Sequence, residues 1–476
     1  MRRWLAVLLP ALLVAGCTSS SPPPPAPSSS PPPPPPSATA GTTPFGAHWD
    51  WSRYEQFTPF LRKIAGSATY HELSWCDIEP QQGRPDWSAV DQVAERSRSL
   101  GITLHLKIRV GVCWATGGTA QHVRGQAGKT ESAMPRDLGT YKSFVDGVVR
   151  RYAPYGVREY AVENEVNAPQ YWAGSATDYA TLVAAAGEAV RAADPAAKVV
   201  DSGISSVAYG WGVVDRLLKA GQEAEAVRAY NAYFERRIGT RGKQIPAVST
   251  AADLRAALAV PQNARNLEYL AATEKLLDDK TVDVRQVHFY EHWSAVPDLL
   301  AYLSAETPAG VPVEAWEVGQ FWRDGDADAA SRSAEMVKVV AQLAAGGLRE
   351  VIWLPLAYNP GNRQGSEVRY GLLDPDGKER TAGQMLAGLA ALAKGATAEP
   401  VRDKGLTGAA FRRGGETALV VWAADAPVTV PAAGTLTSGA VGAAARGGAV
   451  EVGADPVVVK DQRPPADIIA SIRQGG

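Results

Sequence analysis

The sequence predicts an α/β protein, a (β/α)8 TIM barrel followed by a small C-terminal antiparallel β-sandwich domain. From Phe45 onward, short β-type runs alternate with longer segments in which apolar residues recur every three or four positions, the pattern of βα units around a parallel sheet. Eight such runs can be counted, and eight parallel strands that are each followed by a helix close into a barrel. A chain of 476 residues has room for both domains.

The first 17 residues have the pattern of an export signal. Arg2 and Arg3 precede a short apolar run from Trp4 to Val14, which is too short to span a bilayer. The run ends in Val14-Ala-Gly-Cys17, which resembles the lipobox of bacterial lipoproteins, although an ordinary signal peptide with a chance cysteine is the alternative. The resemblance implies a lipidated Cys17 and an extracytoplasmic, membrane-anchored protein at the cell surface or the periplasmic face.

Residues 18–44 consist almost wholly of Ser, Pro, Thr and Ala. Such a segment buries too little apolar area to offset its chain entropy, so we expect a disordered tether between the membrane and the folded part. The formal net charge of −2 provides no basic footprint, which argues against a nucleic-acid partner. The oligomeric state is not indicated by the sequence.

Two cysteines remain beyond the signal, Cys76 and Cys113. In an oxidising compartment they are predicted to form a disulfide, with two free and partly buried thiols as the alternative. They cannot complete a zinc site unaided, and the spacing from His288 to His292 begins in a predicted strand, where the two rings do not share a helical face. The sequence therefore predicts no metal and no organic cofactor.

The barrel is assigned to residues 45–395. Its predicted strands are Phe45–Trp49, Ala68–Trp75, Ile102–Val110, Glu159–Val162, Lys198–Asp201, Val284–Phe289, Val313–Trp316 and Glu350–Pro355. The amphipathic segments between and after them include Trp87–Leu100, Thr140–Tyr152, Asp178–Ala193, Ala329–Ala345 and Ala382–Ala393.

Two further regions are set apart from this repeat. Residues 203–279 are longer than one βα connection needs, so we expect an insertion of two or three helices after the fifth strand, placed to wall a cleft. Residues 396–462 contain short β-rich runs separated by Gly, Pro and Asp, which predicts the small β-sandwich domain. Residues 463–476 are interpreted as a tail.

Polar groups end several of the predicted barrel strands. Asn164 and Glu165 close the fourth strand, Glu317 closes the seventh, and two-residue alternation places His288 and Tyr290 on one face of the sixth. The carboxyl ends of barrel strands face one common pocket. The sequence therefore predicts that these five side chains meet in a single site.

This pattern resembles the clan A glycoside hydrolases, in which Asn-Glu closes strand four and a second Glu closes strand seven. The segment Leu73–Ser88 is similar to the Trp-x-x-Ile-Glu-Pro motif after strand two in several families of that clan, and families 39, 42 and 5 are closest. The resemblance implies a retaining glycoside hydrolase with Glu165 as acid/base and Glu317 as nucleophile. It also implies that Asn164 binds a sugar hydroxyl and that Tyr290, or else His288, orients the nucleophile.

Several alternatives stay open. Glu163 competes with Glu165, and Glu314 competes with Glu317. The alternative interpretation of His288 is a core histidine that bonds to a neighbouring strand and takes no part in the site. Many clan members carry a strand-two Arg that binds the nucleophile, which is missing here. Its possible substitutes are Arg109, Lys107 and His71.

Tryptophans at or just after predicted strands are candidate platforms for apolar sugar faces. They are Trp49, Trp51, Trp114, Trp172, Trp293 and Trp322, of which Trp49, Trp172, Trp293 and Trp322 are assigned to substrate binding. The predicted partner is an oligo- or polysaccharide, cleaved by double displacement. A non-catalytic carbohydrate-binding lipoprotein and a transglycosidase on the same scaffold are the alternative functions.

Overall fold

The computed structural model describes residues 41–116, 132–236, 245–322, 328–362, 369–431 and 449–472. The export signal, Cys17 and the tether up to residue 40 lie outside these ranges. Eight parallel strands begin at or within one residue of the predicted positions. They are β1 Phe45–Ala47, β2 Ala68–Ser74, β3 Thr103–Arg109, β4 Glu159–Val162, β5 Lys198–Val200, β6 Arg285–Phe289, β7 Val313–Val318 and β8 Val351–Trp353.

The strands form two hydrogen-bonded halves, β2-β3-β4-β5 and β1-β8-β7-β6. Val200 of β5 forms a parallel bridge with Val284, just before β6, which joins the halves on one side. On the other side, the Thr69 hydroxyl of β2 donates to the Ala47 carbonyl of β1 at 2.9 Å. The predicted (β/α)8 barrel is thereby confirmed.

Side chains fill the interior of the barrel. Tyr70, Trp316 and His105 stack in succession, with ring centroids 6.1 Å and 4.8 Å apart. Small and β-branched residues complete this layer. The filled centre makes the barrel a packed core and not a pore.

Helices surround the strands. In chain order they are α1 Tyr54–Leu61, α2 Trp75–Ile78, α3 Ser88–Leu100, α4 Leu138–Tyr152, α5 Ala176–Ala193, α6 Ser206–Lys219, α7 Glu223–Tyr233, α8 Ala251–Leu258, α9 Pro261–Asp278, α10 Val296–Glu306, α11 Ala329–Ala345 and α12 Thr381–Ala393. Local signals explain several starts. Before α5, the Ser175 side chain accepts from the Asp178 N–H, and the Asp178 carboxylate accepts from the Ser175 N–H, which forms a capping box.

The segment 203–279 differs from the expected insertion. It contains α6 to α9, four helices where two or three were expected. Helix α9 packs against α5 and α6, and α6 packs against α10, so α6 and α9 belong to the outer ring of the barrel. Helix α7 packs against the short turn Trp293–Ala295 after β6, and that part of the segment lies beside the C-terminal ends of the strands.

The C-terminal region is antiparallel. Its strands are β9 Thr397–Asp403, β10 Leu406–Arg413, β11 Glu416–Ala423, β12 Val428–Pro431, β13 Ala449–Val452 and β14 Val457–Asp461. One sheet has the order β14-β11-β10-β9, and β12 pairs with β13 in a second. The tail interpretation of residues 463–476 is wrong in part, because Pro465–Ala470 forms a helix, α13. Helix α13 packs against the sandwich, and its Ile468 is fully buried.

Cys76 and Cys113 form the predicted disulfide, with their Cα atoms 5.5 Å apart. The bond connects α2 to the loop that follows β3 and so fastens two segments at the same end of the barrel. Within the described residues, no helix combines the length and apolarity that crossing a bilayer requires.

Candidate active site

The C-terminal ends of β4, β6 and β7 bring three predicted side chains together. Glu165, His288 and Glu317 each place one oxygen or nitrogen atom within 4.8 Å of the others. His288 Nδ1 lies 2.9 Å from Glu165 Oε1 and 3.4 Å from Glu317 Oε2. His288 is therefore part of the site, although it is also fully buried.

The backbone at the end of β4 explains how both Asn164 and Glu165 enter the site. Glu163 and Glu165 have φ angles of 68° and 42°, in the left-handed region that residues other than glycine seldom adopt. This breaks strand alternation, so adjacent side chains do not point to opposite faces. The Asn164 Oδ1 atom accepts from Lys107 Nζ at 2.7 Å. Backbone strain of this kind is characteristic of functional sites.

An irregularity in β7 has a similar effect on Glu317. The pairing of β7 shifts register against both β6 and β8 near Trp316. Trp316 fills the barrel interior. Its neighbour Glu317 also faces the barrel axis, because the register shift changes the direction of one side chain. Glu314 is fully buried deeper in the barrel, where it accepts from the Trp316 indole at 2.7 Å. The structure thus separates Glu314 from the candidate site.

Two donors hold the Glu317 carboxylate. Lys107 Nζ donates to Oε1 at 2.6 Å, and the Tyr290 hydroxyl donates to Oε2 at 2.8 Å. Burial by itself raises the pKa of Glu317, but the electrostatic effects of His288 and Lys107, with the hydrogen bonds from Lys107 and Tyr290, hold this pKa well below its ordinary value. Glu317 is therefore ionised at neutral pH.

Of the three candidates for the role of the missing strand-two Arg, Lys107 is the one that bonds to Glu317. The other two possible substitutes have different contacts. Arg109 bonds to Glu72 at 2.9 Å and lies 3.6 Å from Glu163, and His71 lies edge-on to Trp51.

Glu163 is buried beside the site and holds the end of β4 in place. It is fully buried, and its Oε1 accepts from the Val110 N–H at 2.8 Å. Burial raises its pKa to about 7 against the opposing effect of Arg109. Its contacts anchor the end of β4 to β3, whereas Glu165 is the carboxylate of this stretch that faces Glu317 and His288.

The four tryptophans assigned to substrate binding are buried or packed against another ring. Trp49, Trp172 and Trp322 have exposed fractions of 2%, 1% and 8%, so their rings are in the core and present no open face to a sugar. Trp293 is partly exposed but packs edge-on against Trp422 of the C-terminal domain, with centroids 5.7 Å apart. The strand-end pattern found the carboxylates, but it did not distinguish core tryptophans from accessible ones.

The motif after β2 has a structural role in this chain. Glu79 Oε2 accepts from the Trp75 indole at 2.7 Å, while its Oε1 accepts from the Gly83 N–H. The Trp114 indole donates to the Glu79 carbonyl at 2.7 Å. Glu79 thus fixes the loop between α2 and α3 and ties it to the loop after β3.

Comparison with known proteins shows the fold. No protein-family model matches the sequence, and no curated protein matches it. A family 39 glycoside hydrolase from Bacteroides cellulosilyticus WH2 superposes with a TM-score of 0.59 at 15% identity, covering 88% of this chain and 81% of that one.

Two further structures extend the likeness. A GH39 β-xylosidase from Caulobacter crescentus gives a TM-score of 0.51 at 18% identity, with 82% and 81% covered. A GH30 endoxylanase from Clostridium papyrosolvens C71 gives 0.50 at 12% identity, with 88% and 96% covered. Both families belong to clan A, so the fold that the clan resemblance implied is the fold of this chain.

Proposed function

We propose that this protein is a retaining glycoside hydrolase that cleaves O-glycosidic bonds by double displacement. The observation that carries the proposal is the pair Glu165 and Glu317, whose nearest carboxylate oxygens are at most 4.8 Å apart. Retaining glycosidases hold their two carboxyl groups about 5–5.5 Å apart, whereas inverting enzymes need about 6.5–9.5 Å to admit a water molecule. The short separation favours retention.

In the first step, Glu317 attacks the anomeric carbon while Glu165 gives its proton to the leaving oxygen. The glycosidic bond breaks as the ester bond to Glu317 forms. In the second step, Glu165 takes a proton from a water molecule, which attacks the same carbon and releases Glu317. His288, 2.9 Å from Glu165, is placed to keep that carboxyl group directed at the bond.

The surroundings of Glu317 fit a nucleophile. Its lowered pKa keeps it charged at the pH at which it must attack, and the bonds from Lys107 and Tyr290 fix both oxygens. The Asn164 Oδ1 atom accepts from Lys107 Nζ, and the amide nitrogen of Asn164 donates to no group in the described part of the chain. That nitrogen is placed to donate to a sugar hydroxyl beside the anomeric carbon.

The first substrates to examine are β-xylosides, because two of the similar structures are a β-xylosidase and an endoxylanase by name.

The Cys76–Cys113 disulfide suits an oxidising compartment. Together with Val14–Cys17, it supports our proposal of a lipid-anchored extracytoplasmic enzyme. Membrane fractionation of the Cys17→Ser variant tests that location.

The Glu317→Gln substitution tests the catalytic proposal. It keeps the size of the side chain and removes the nucleophile, so kcat on 4-nitrophenyl glycosides should fall by roughly 10³-fold or more. An activated 2-deoxy-2-fluoro glycoside should label Glu317 in the unaltered enzyme, as read by peptide mass spectrometry. Undiminished turnover in the variant would refute the assignment.

The same experiment separates the two alternative functions. A purely carbohydrate-binding protein hydrolyses no glycoside and gains no label, yet it binds sugar equally well with Glu317→Gln. A transglycosidase is labelled on Glu317 but passes the sugar to an added alcohol or saccharide in preference to water. Product analysis with an added acceptor distinguishes it from a hydrolase.

A further inference from the structure

Glu72 is a carboxylate of the barrel that the proposed mechanism does not use. It lies on β2 two residues after Tyr70 and pairs in register with Lys107 of β3. Tyr70 stacks on Trp316 inside the barrel, so alternation directs the Glu72 side chain to the barrel axis as well. Yet 38% of the Glu72 side chain is exposed, whereas only 4% of Tyr70 is.

Because the Glu72 side chain is partly exposed and lies on the barrel axis, it must face one of the two ends of the barrel. Below it, the stacked rings of Tyr70, Trp316 and His105 fill the barrel. Solvent therefore reaches Glu72 from the C-terminal end of the strands, where Glu165 and Glu317 lie. The pKa of Tyr70 is raised first by burial and then by the charges of Glu317 and Glu72, which places both carboxylates near the same ring.

Arg109 holds Glu72 in position. The Arg109 side chain is buried, and its Nη1 donates to Glu72 Oε1 at 2.9 Å. The same guanidinium donates through Nη2 to the Tyr171 carbonyl at 3.3 Å and lies 3.6 Å from Glu163. A planar guanidinium with several fixed partners orients the carboxylate that it binds.

One oxygen of Glu72 is left for a ligand. Within the described residues, Oε2 accepts no hydrogen bond. The neighbouring Lys107 is directed at Glu317 and Asn164, at 2.6 Å and 2.7 Å, rather than at Glu72. A carboxylate with an open oxygen is an acceptor for hydroxyl groups and a source of repulsion for another carboxylate.

We propose that Glu72, oriented by Arg109, determines specificity in the sugar pocket above Glu317. It accepts hydrogen bonds from ring hydroxyls and so favours neutral sugars, and its charge disfavours uronic acids. This inference rests on the proposed glycosidase function, but it concerns which sugar binds and not how the bond is cleaved.

The test is the Glu72→Gln variant, which keeps shape and removes the charge. Enzyme assays use 4-nitrophenyl β-D-xyloside, β-D-glucoside and β-D-glucuronide. We expect kcat/KM on the best neutral glycoside to fall by ~10- to 100-fold, since hydrogen bonds to a charged group are among the stronger ones. The ratio of neutral to uronide turnover should fall by about tenfold or more. An equal proportional fall on all substrates would show a structural role and overturn the proposal.

The control is Glu188→Gln, which removes an exposed carboxylate on α5 that pairs with Lys142 at 3.2 Å. It should leave both the rates and the ratio unchanged. Labelling of Glu317 by the 2-fluoro glycoside reports on the proposed function separately, because it does not depend on the ratio.

A binding measurement decides the case in which no glycoside is turned over and no label forms. Calorimetric titration with D-xylose, D-glucose and D-glucuronate is then compared between the unaltered chain and Glu72→Gln. Weaker binding of the neutral sugars to the variant, with relatively stronger binding of glucuronate, supports the role of Glu72. Equal binding in both proteins overturns it.

Discussion

Lys107 is the residue on which the electrostatics of the site depend. Its side chain is fully buried, and its Nζ contacts the carboxylate of Glu317, the amide oxygen of Asn164 and a ring nitrogen of His288. Burying a lysine is costly unless a counter-charge and hydrogen bonds compensate for lost hydration. Here Glu317 is the counter-charge, so each of the two groups stabilises the other.

We predict that Lys107→Met shifts the pH dependence of the enzyme. Without Lys107, burial raises the pKa of Glu317 against weaker opposition, so Glu317 takes up a proton at higher pH than before. The acidic limb of the kcat/KM profile should therefore move to higher pH, and the maximum should fall by roughly 10²-fold. The measurement is kcat/KM from pH 3 to about pH 9 on an aryl glycoside.

The matched control is Lys142→Met, which removes an exposed lysine of α4. It should leave the profile in place. If Lys107→Met lowers the maximum but does not move the acidic limb, Lys107 does not set the pKa of Glu317.

Single residues show where sequence reasoning succeeded and why it stopped. The strand-end pattern located Glu165, Glu317 and Tyr290, because barrel topology alone brings strand ends together. It favoured Glu317 over Glu314 because Glu314 lies inside the predicted strand and a glycine that permits a bend follows Glu317. The register shift in β7 that turns Glu317 inward is a tertiary feature, which the sequence does not show. Strict alternation would have placed Trp316 and Glu317 on opposite faces.

Burial was the least predictable property. A tryptophan after a strand is equally consistent with core packing and with a sugar platform, and the difference depends on neighbouring loops. Trp172 is enclosed because its indole donates to the Ser175 carbonyl at 3.2 Å and its ring lies against Gly174. Glu72 was not singled out, although its alternation with Tyr70 in a predicted strand could have indicated an inward carboxylate.

At the level of elements, a group of charged side chains joins four strands deep in the barrel. His105 of β3 lies 2.6 Å from Glu350, which precedes β8, and 3.5 Å from Glu159 of β4. Arg349 pairs with Glu159 and with Glu314 of β7. The group lies at the starts of β4, β7 and β8, at the end opposite to the candidate site, so its contribution should be to stability.

This group predicts a pH dependence of stability. Burial by itself lowers the pKa of His105, but Glu350, Glu159 and Glu314 raise it to about 9 from an ordinary 6.5. A group with a raised folded-state pKa stabilises fully below its unfolded pKa, and that contribution is lost as pH rises through the folded value. The free energy of unfolding should therefore fall by roughly 3 kcal/mol between pH 6 and about pH 9.5.

Urea denaturation across that pH range measures the change. His105→Gln should remove most of the slope above about pH 8, whereas Glu163, whose pKa burial raises to about 7, contributes a fall of the same sign below that. His292→Gln is the control, because burial and Arg236 lower the pKa of folded His292 to about 3, so the folded side chain stays neutral throughout this interval. Only the unfolded form, with its ordinary pKa of 6.5, titrates near the lower end, and it does not contribute to the slope above about pH 8. A slope that persists in His105→Gln would assign the effect to other groups.

The predicted elements matched well wherever periodicity was strong. Helix α11 has the predicted bounds Ala329–Ala345, and β4 has the predicted bounds Glu159–Val162. The least accurate part was residues 203–279. The sequence alone does not show which of several amphipathic helices packs against the barrel. Both α6 and α9 belong to the outer ring, because α9 packs against α5 and α6, and α6 packs against α10.

At the scale of the whole molecule, the β10–β11 sheet has two buried faces. One face carries Phe411, which packs edge-on against Phe45 at the start of the barrel with centroids 5.9 Å apart. The other face carries Leu406 and Leu419 in a separate core with Ile468 of α13. The sheet is therefore held on the barrel by its own side chains, and we expect the two parts to unfold together.

Trp293 lies in the contact between the two parts, which leads to the last prediction. Its ring packs against Trp422 of β11 with an interplanar angle of 83°, and Lys338 Nζ of α11 lies 4.7 Å from the ring centroid. We expect Trp293→Ala to lower the free energy of unfolding by about 1–3 kcal/mol through lost packing, while KM stays within about twofold of its original value. Thermal unfolding and steady-state kinetics on the same preparation measure both.

Trp422→Ala provides the matched partner in a double-mutant cycle. If Trp293 and Trp422 stabilise the protein through their mutual contact, the double variant should lose less stability than the two single losses combined, by about 0.5–1.5 kcal/mol. If Trp293 instead binds the sugar, the expected results are different. KM should then rise about tenfold in Trp293→Ala alone, the free energy of unfolding should be unchanged, and the two substitutions should show no coupling energy. The sign and size of the coupling energy therefore decide whether Trp293 joins the domains or binds the substrate.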